Sequence, residues 1–363
     1  MTYGRRLGVS GFLPIKVLFV VILFLVQSLN AAGKDDSWSF AFLADSRSSA
    51  QAINNGVNTR VLNLIAQEIA QDIRDQNIGC ELVLFGGDLI RGQYSEHTSK
   101  SNSAAYQEWK EAMKPVYDAF HEKKAPLVPI YPVRGNHEVY HKKTGSTEES
   151  VKNEWMSAFG NYLPQNGPPP PPIESDEISP QKGLNYFVKH KDVLFVAVDQ
   201  YVKSGYDPSV NQSWLDLVLQ QEKTGPHVFV FGHTPAWQTL EGKKSKSLFS
   251  YPEIRDKFWD SICRGGCRVY LTGHQHYTAV NIIKHKDSPD MWQIMSGSGG
   301  APLAESRPRV IDPDRTIYLN QTDYGYYIGK VNGDEVTLKF KYYSEAENKW
   351  ISDDRSLVQY KVR

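Results

Sequence analysis

Four short apolar runs in this chain each lead to a glycine followed by residues whose lone pairs can hold a cation. Leu82–Phe85 leads into Gly86-Gly87-Asp88, and Ile130–Val133 into Arg134-Gly135-Asn136-His137-Glu138. Val228–Phe231 leads into Gly232-His233, and Val269–Leu271 into Gly273-His274-Gln275-His276. A fifth run, Phe40–Ala44, lacks the glycine and ends at Asp45. Short apolar runs bounded by turn residues fit buried strands. Open α/β sheets bind ligands at the carboxyl ends of their strands. The pattern therefore predicts a sheet whose strand ends gather these side chains at one rim. Residues two apart on extended backbone point the same way, so His274 and His276 can reach one small volume. Taken alone, that pair also suits a plain surface loop. The five strand ends together point to a site.

Between the runs the apolar period changes. Leu62, Ile65, Ile69 and Ile73 recur at helical spacing, with Asn58 or Thr59 placed as N-cap. The stretch 102–123, carrying Trp109, Met113, Val116 and Phe120, predicts a second amphipathic helix. Pro129 and Pro132 put the strand over 127–133 at a sheet edge or irregular end. Residues 184–188 and 193–198 predict a hairpin. Helices are expected over 214–221 and 251–263, and strands over 277–283 and 291–295. A C-terminal hairpin turns at Asn332-Gly333-Asp334. Early alternation and late hairpins describe a mixed-sheet α/β protein with helices outside. Pro168–Pro172 are expected as exposed polyproline II. They make a Pro-rich surface loop near 164–180 rather than a domain boundary, because ligand-type residues lie on both sides.

Lysine plus arginine and aspartate plus glutamate number 41 each, so no polybasic surface argues for nucleic acid. Arg5, Arg6 and Lys16 precede an apolar run over 17–26 and a small-residue exit at Ala31-Ala32. This is the layout of a secretory signal peptide, and the apolar run is short for a bilayer span. Residues 1–32 are read as that leader, with an uncleaved N-terminal anchor as the alternative, and 33–363 as one exported domain, periplasmic or secreted. No other membrane contact is indicated. An oxidising compartment permits disulfides, and Cys263 and Cys267 are close enough to pair across Arg264-Gly265-Gly266. Cys80 would remain over, buried before its strand.

Carboxylate, imidazole and amide ligands suit Zn, Mn, Fe or Co rather than thiolate-loving ions. Two aspartates, an asparagine and three histidines exceed the four ligands of a structural zinc. A metal pair bridged by a carboxylate hydrolyses phosphate esters by polarising phosphoryl oxygens and supplying a bridging hydroxide.

The series Asp45, Gly87-Asp88, Gly135-Asn136-His137-Glu138, Gly232-His233 and Gly273-His274-Gln275-His276 resembles the calcineurin-like metallophosphoesterase family over roughly residues 38–300. Ser296-Gly297-Ser298-Gly299-Gly300-Ala301-Pro302 resembles its purple acid phosphatase branch. The resemblance implies a sandwich of two mixed β-sheets flanked by helices in four layers, αββα, with two divalent or mixed-valence transition metals such as Mn, Fe or Zn at one edge. It implies that Asp88 bridges both ions, that Asn136, His233 and His274 hold the second, and that Asp45 and His276 hold the first. His137 would stand by the leaving oxygen as general acid or electrostatic stabiliser. Glu138 would either orient His137 or be a solvated loop charge.

One motif departs from that family. Most members carry Asp-x-His first, and here the third residue is Arg47. The tyrosine that purple acid phosphatases use instead is replaced by Arg91. Arginine has no acceptor lone pair and cannot be a ligand. The first ion is thus one protein ligand short, with Asn58 either filling the gap or only capping a helix. Arg47 and Arg91, with Asn136, are candidates for binding substrate phosphate, since a guanidinium fork matches two phosphate oxygens. The expected function is metal-dependent hydrolysis of a small phosphoester, mono- or diester, a nucleotide or cyclic nucleotide among them. The alternative is a catalytically weakened protein that binds phosphate or metal on the same fold.

Overall fold

The computed structural model describes Met1 and residues 37–362, apart from 50–55, 96–97, 126–128, 169–181, 204–205, 242–246, 286–288, 304–308 and 313. The leader and most of the proline run lie outside the described residues. β1 (Trp38–Leu43), β2 (Cys80–Phe85) and β3 (Ile130–Pro132) pair in parallel. Parallel neighbours need a crossover, and helices supply it: α1 (Thr59–Arg74), then α2 (Asn102–Ala112) with α3 (Lys114–Glu122). α1 buries Leu62, Ile65, Ile69 and Ile73, and Asn58 caps it by accepting Val61 N–H at 3.4 Å. The single helix expected over 102–123 breaks at Met113, because Pro115 stands in the first turn of α3 with no N–H to continue the ladder. β3 is an edge strand, which suits the missing N–H of Pro132.

Two short helices, α4 (Asn136–Val139) and α5 (Glu148–Trp155), follow β3. Then come β4 (Tyr186–His190), β5 (Val193–Ala197), α6 (Gln212–Gln221), β6 (His227–Phe231), α7 (Pro252–Arg264) and β7 (Cys267–Thr272). The chain ends with β8 (Thr278–Ile283), β9 (Met291–Ser296), β10 (Thr316–Asn320), β11 (Gly325–Asn332), β12 (Glu335–Ser344) and β13 (Lys349–Lys361). One sheet has the order β13-β12-β11-β1-β2-β3 and the other β10-β8-β9-β7-β6-β5-β4. Both mix parallel and antiparallel pairs.

Strand alternation decides what each side chain meets. Phe195, Phe229, Phe231, Val269 and Leu271 share a core with Phe40 and Phe42 of the facing sheet. Phe40 meets Phe195 and Phe229 edge-on, with ring centres 5.2 and 5.0 Å away. Their neighbours Leu194, Val196, Val228, Val230 and Tyr270 turn outward onto Leu215 of α6 and Phe258 of α7. The expected sandwich of two mixed sheets with outer helices is thus present.

The Cys263–Cys267 disulfide that the spacing allows is not made, and all three cysteines are buried. Cys263 lies on the buried face of α7 with its Sγ 2.8 Å from Met291 Sδ, while Cys267 opens β7 and its thiol donates to Val269 O. Among the described residues, no helix is long and apolar enough to cross a membrane.

Candidate metal centre

Each strand end bends to aim a side chain at the common rim. Asp45, Asp88 and His274 adopt left-handed φ angles of 62°, 52° and 74°, a region that costs such residues on the order of 1–3 kcal/mol. Backbone bonds hold the bends. Asp45 N–H donates to Gly87 O (3.0 Å), Ser46 N–H to Asp88 O (3.0 Å) and Gly273 N–H to His233 O (2.9 Å). The glycine before Asp88 has a steric reason. Its φ is +85°, and a Cβ there would lie 2.7 Å from Gly135 N and 2.8 Å from His233 Nδ1, forcing ligand loops apart.

Asp88, Asn136, His233 and His274 converge. His233 Nδ1–H donates to Gly86 O (2.8 Å), which leaves its lone pair on Nε2. That nitrogen is 3.1 Å from Asn136 Oδ1, 3.1 Å from His274 Nδ1 and 3.3 Å from Asp88 Oδ1. His274 Nδ1 is 2.9 Å from Asn136 Oδ1. Ligand atoms about 2.0–2.1 Å from a tetrahedral ion lie about 3.3–3.4 Å apart. Asn136, His233 and His274 thus stand near metal-binding separations from one another, and Asp88 stands near such a separation from His233. Burial pushes the His233 and His274 imidazoles down to about 3, so both are neutral near pH 7, as ligation requires. These residues fit one divalent ion.

The first ion's expected ligands are arranged differently. Asp45 is fully buried; its Oδ2 accepts His274 N–H (2.8 Å), and its Oδ1 has no hydrogen-bond partner. Burial, then the Asp88 charge, raises its carboxyl well above the usual range. His276 Nδ1–H donates to Pro302 O (3.0 Å), so its lone pair is on Nε2, 3.8 Å from Asp45 Oδ1. Arg47 Nη2–H donates to that nitrogen at 3.1 Å, Arg47 Nη1–H donates to Ser48 O, and Nε stands 3.6 Å from Asp88 Oδ2. The guanidinium lies against both Asp88 and His276, so His276 as arranged is not open to a metal, while ligand atoms of Asp45, Asp88 and His233 lie within 4.8 Å of one another. Asn58 does not fill the gap. Its oxygen caps α1 and its Nδ2–H donates to Gly300 O (2.7 Å).

Beside these residues lies a cleft of about 430 Å³ lined by Arg47, Arg91, Tyr94, His137, Tyr140 and His276 among others. His137 Nδ1–H donates to Arg91 O (2.6 Å), which turns Nε2 to within 3.8 Å of Asp88 Oδ2. Burial depresses this imidazole to about 3. Tyr94 stacks on its ring with centres 5.2 Å apart, and the Arg91 guanidinium sits 5.4 Å from the Tyr94 centre. Burial, then the Arg47 charge, lowers Arg91 from its ordinary value.

Glu138 takes neither of its expected roles. It is fully buried and accepts N–H bonds from Gly135 (2.6 Å), Asp88 (2.9 Å) and Ile90 (3.1 Å). It braces the Asp88 loop against the Asn136 loop, while burial and then Asp88 push its carboxyl up to about 8. A glutamate three residues after the helix-leading Gly135 is a capping signature that could have shown this. Tyr94 and Tyr140 carried no sequence signal for the cleft.

The model of the calcineurin-like phosphoesterase family matches residues 55–278, more than half of the chain. No curated protein sequence matches it. Among solved structures, the purple acid phosphatase PPD1 of yellow lupin seeds superposes with a TM-score of 0.61 at 14% identity over 90% of this chain. This chain spans about half that protein's length, 54%. GAP50, the anchor in the inner membrane complex of Plasmodium, superposes with a TM-score of 0.52 at 15% identity, covering 90% of this chain and 88% of its own. Such identities show a shared fold. With the family match and the converged strand ends together, the chain belongs to the calcineurin-like phosphoesterase family.

Proposed function

We propose that this protein hydrolyses a small phosphoester in the cleft beside Asp88, with a divalent transition metal held by Asp88, Asn136, His233 and His274. The observation that carries the reading is the approach of Asn136 Oδ1, His274 Nδ1 and Asp88 Oδ1 to His233 Nε2 at 3.1–3.3 Å, next to two cationic side chains. The metal, when bound, supplies Lewis-acid polarisation of a phosphoryl oxygen and acidifies a water. The chain's own residues do the rest. Arg91 and Arg47 line one cleft, and burial and then the Arg47 charge disfavour the charge on Arg91; an entering phosphate anion offsets that cost and accepts N–H donors from both. His137, fixed by Arg91 O and by Tyr94, turns Nε2 toward Asp88; burial leaves that nitrogen unprotonated at rest, so it would donate to a leaving oxygen only after a bound phosphate's negative charge favours its protonation. The stacked Tyr94 and edge-on Tyr140 hold that ring.

Arg47 favours a second reading, a protein that binds phosphate or metal without turnover. One assay separates the two. The full chain is given a chromogenic monoester and diester with Mn, Zn or Fe, before and after chelation. Turnover that chelator removes and Asp88→Asn abolishes supports the hydrolase; bound metal with no turnover on either ester favours the binding protein. Export by the 1–32 leader is part of the proposal, supported by its sequence layout, and N-terminal sequencing of exported protein tests it.

A further inference from the structure

We infer that the Arg47 guanidinium takes the place of the first of the two ions the family implies, so that this chain holds one transition metal beside a built-in organic cation. The inference rests on the metal-dependent reading above and adds its stoichiometry.

The His276 lone pair decides the matter. With Nδ1–H committed to Pro302 O, the imidazole has a single acceptor, Nε2, and Arg47 Nη2–H occupies it at 3.1 Å. A metal bonded to that nitrogen must displace the arginine. The other arm of the guanidinium side chain approaches Asp88 Oδ2, the oxygen left over once Oδ1 faces His233 and accepts His137 N–H (3.0 Å). The same arginine thus stands between the two groups that the first ion would join. It is held there: Nη1–H donates to Ser48 O, its backbone pairs with Val57, and its side chain is 16% exposed. Asp45 Oδ1, buried without a hydrogen-bond partner, is the acceptor left facing this positive charge. By contrast, among the described residues no cationic side chain stands at hydrogen-bond distance from the His233 and His274 nitrogens of the second set.

The test is equilibrium dialysis of the full chain against Zn²⁺, repeated with Mn²⁺ and read by elemental analysis and electron paramagnetic resonance. The expected result is one ion per chain and an isolated Mn²⁺ signal. Arg47→His removes the cation and supplies a ligand beside Asp45 and His276; it should bind two ions and give a spin-coupled signal. His276→Ala should keep one ion at unchanged affinity, because His276 holds arginine rather than metal, and it decides the question if Arg47→His does not fold. Two ions in the wild type, or weakened binding in His276→Ala, would overturn the inference while leaving metal dependence intact. A folded Arg47→His that still binds one ion would show that arginine is not what excludes the second. No ion in the wild type would sink the metal-dependent reading itself, and this inference with it.

Discussion

Replacing Arg134 with methionine should destabilise the whole sandwich, and a second substitution should partly restore it. Arg134 is 1% exposed and precedes Gly135-Asn136; its Nε–H donates to Asp199 Oδ2 at 2.7 Å and its Nη2–H to Tyr201 O at 3.1 Å. Asp199, 0% exposed, also accepts Tyr201 N–H at 2.8 Å. The pair ties the loop after β3 to the loop after β5, one from each sheet. Arg134→Met leaves a buried carboxylate with one backbone donor and no cation, and breaking such a pair costs about 3–5 kcal/mol. Asp199→Asn alone strands the guanidinium at similar cost. In the double variant no charge is buried. The asparagine oxygen keeps Tyr201 N–H; the Tyr201 carbonyl is unpartnered in the single variant as well, and what the double adds is one amide group at about 1–3 kcal/mol. Adding Asp199→Asn to Arg134→Met should therefore recover about 2 kcal/mol. Urea unfolding of the metal-free chain at pH 7 measures all four corners of the cycle without changing ionic strength. A single variant within about 1 kcal/mol of wild type, or a double less stable than Arg134→Met, would refute the reasoning.

Glu138→Gln keeps one acceptor oxygen for three backbone donors, so the Asp88 and Asn136 loops should loosen and Zn²⁺ affinity fall about 10–100-fold by dialysis, the range for groups that orient ligands. Phe40→Ala removes a ring packed on Phe195 and Phe229 between the sheets and should lower unfolding free energy by about 3–5 kcal/mol in urea. Glu81 accepts from His190 and Lys191; burial opposes its charge, but those two bonds outweigh it and hold its carboxyl below the ordinary value. A depressed carboxyl contributes stability above the unfolded pKa and loses it as pH falls through the folded one. Glu81→Gln should thus cost under about 1 kcal/mol at pH 7, as for half-exposed pairs. That gap should close in acid when the same urea midpoints are compared.

The strand ends were legible because four of the five carry two signals at once, an apolar run and a glycine, needed for close approach at Gly87. Core strands such as β6 were legible as unbroken apolar runs. β13 was not, because Asp353-Asp354-Arg355-Ser356 interrupts its pattern; the fold buries Asp353 against Tyr318 and Ser356 against the Phe340 N–H. β10 has the mixed burial of a sheet edge and no sharp alternation. The break at Met113 was readable from Pro115 and was overridden by helical spacing that continues across it. Cysteine proximity in sequence says nothing of direction, and Cys263 turns toward β9 while Cys267 begins β7. Glu138 was misread because a charge in a loop is usually solvated, whereas three N–H donors from two loops had closed around this one. Arg47 could be seen to lack a lone pair, but its contact with His276 spans 229 positions, and no local pattern reports such a meeting.

That contact separates two kinds of departure from the family's first motif. A neutral residue at position 47 would only remove a ligand, leaving an ion held by Asp45, Asp88 and His276 with an open position. An arginine also brings a charge. A divalent ion on His276 Nε2 with the guanidinium still about 3 Å away would be repelled by on the order of 10 kcal/mol at an effective dielectric of 20. That magnitude rivals the whole apparent binding free energy of about 10–16 kcal/mol for a structural zinc. Repulsion of that size disfavours coexistence, so on this inference one cation leaves. For arginine to leave, it must give up His276, Ser48 O and the Asp88 charge together. For the metal to be the one kept out, nothing need move. The same positive charge then faces Asp45 and Asp88, two buried carboxylates that would otherwise repel each other across the rim.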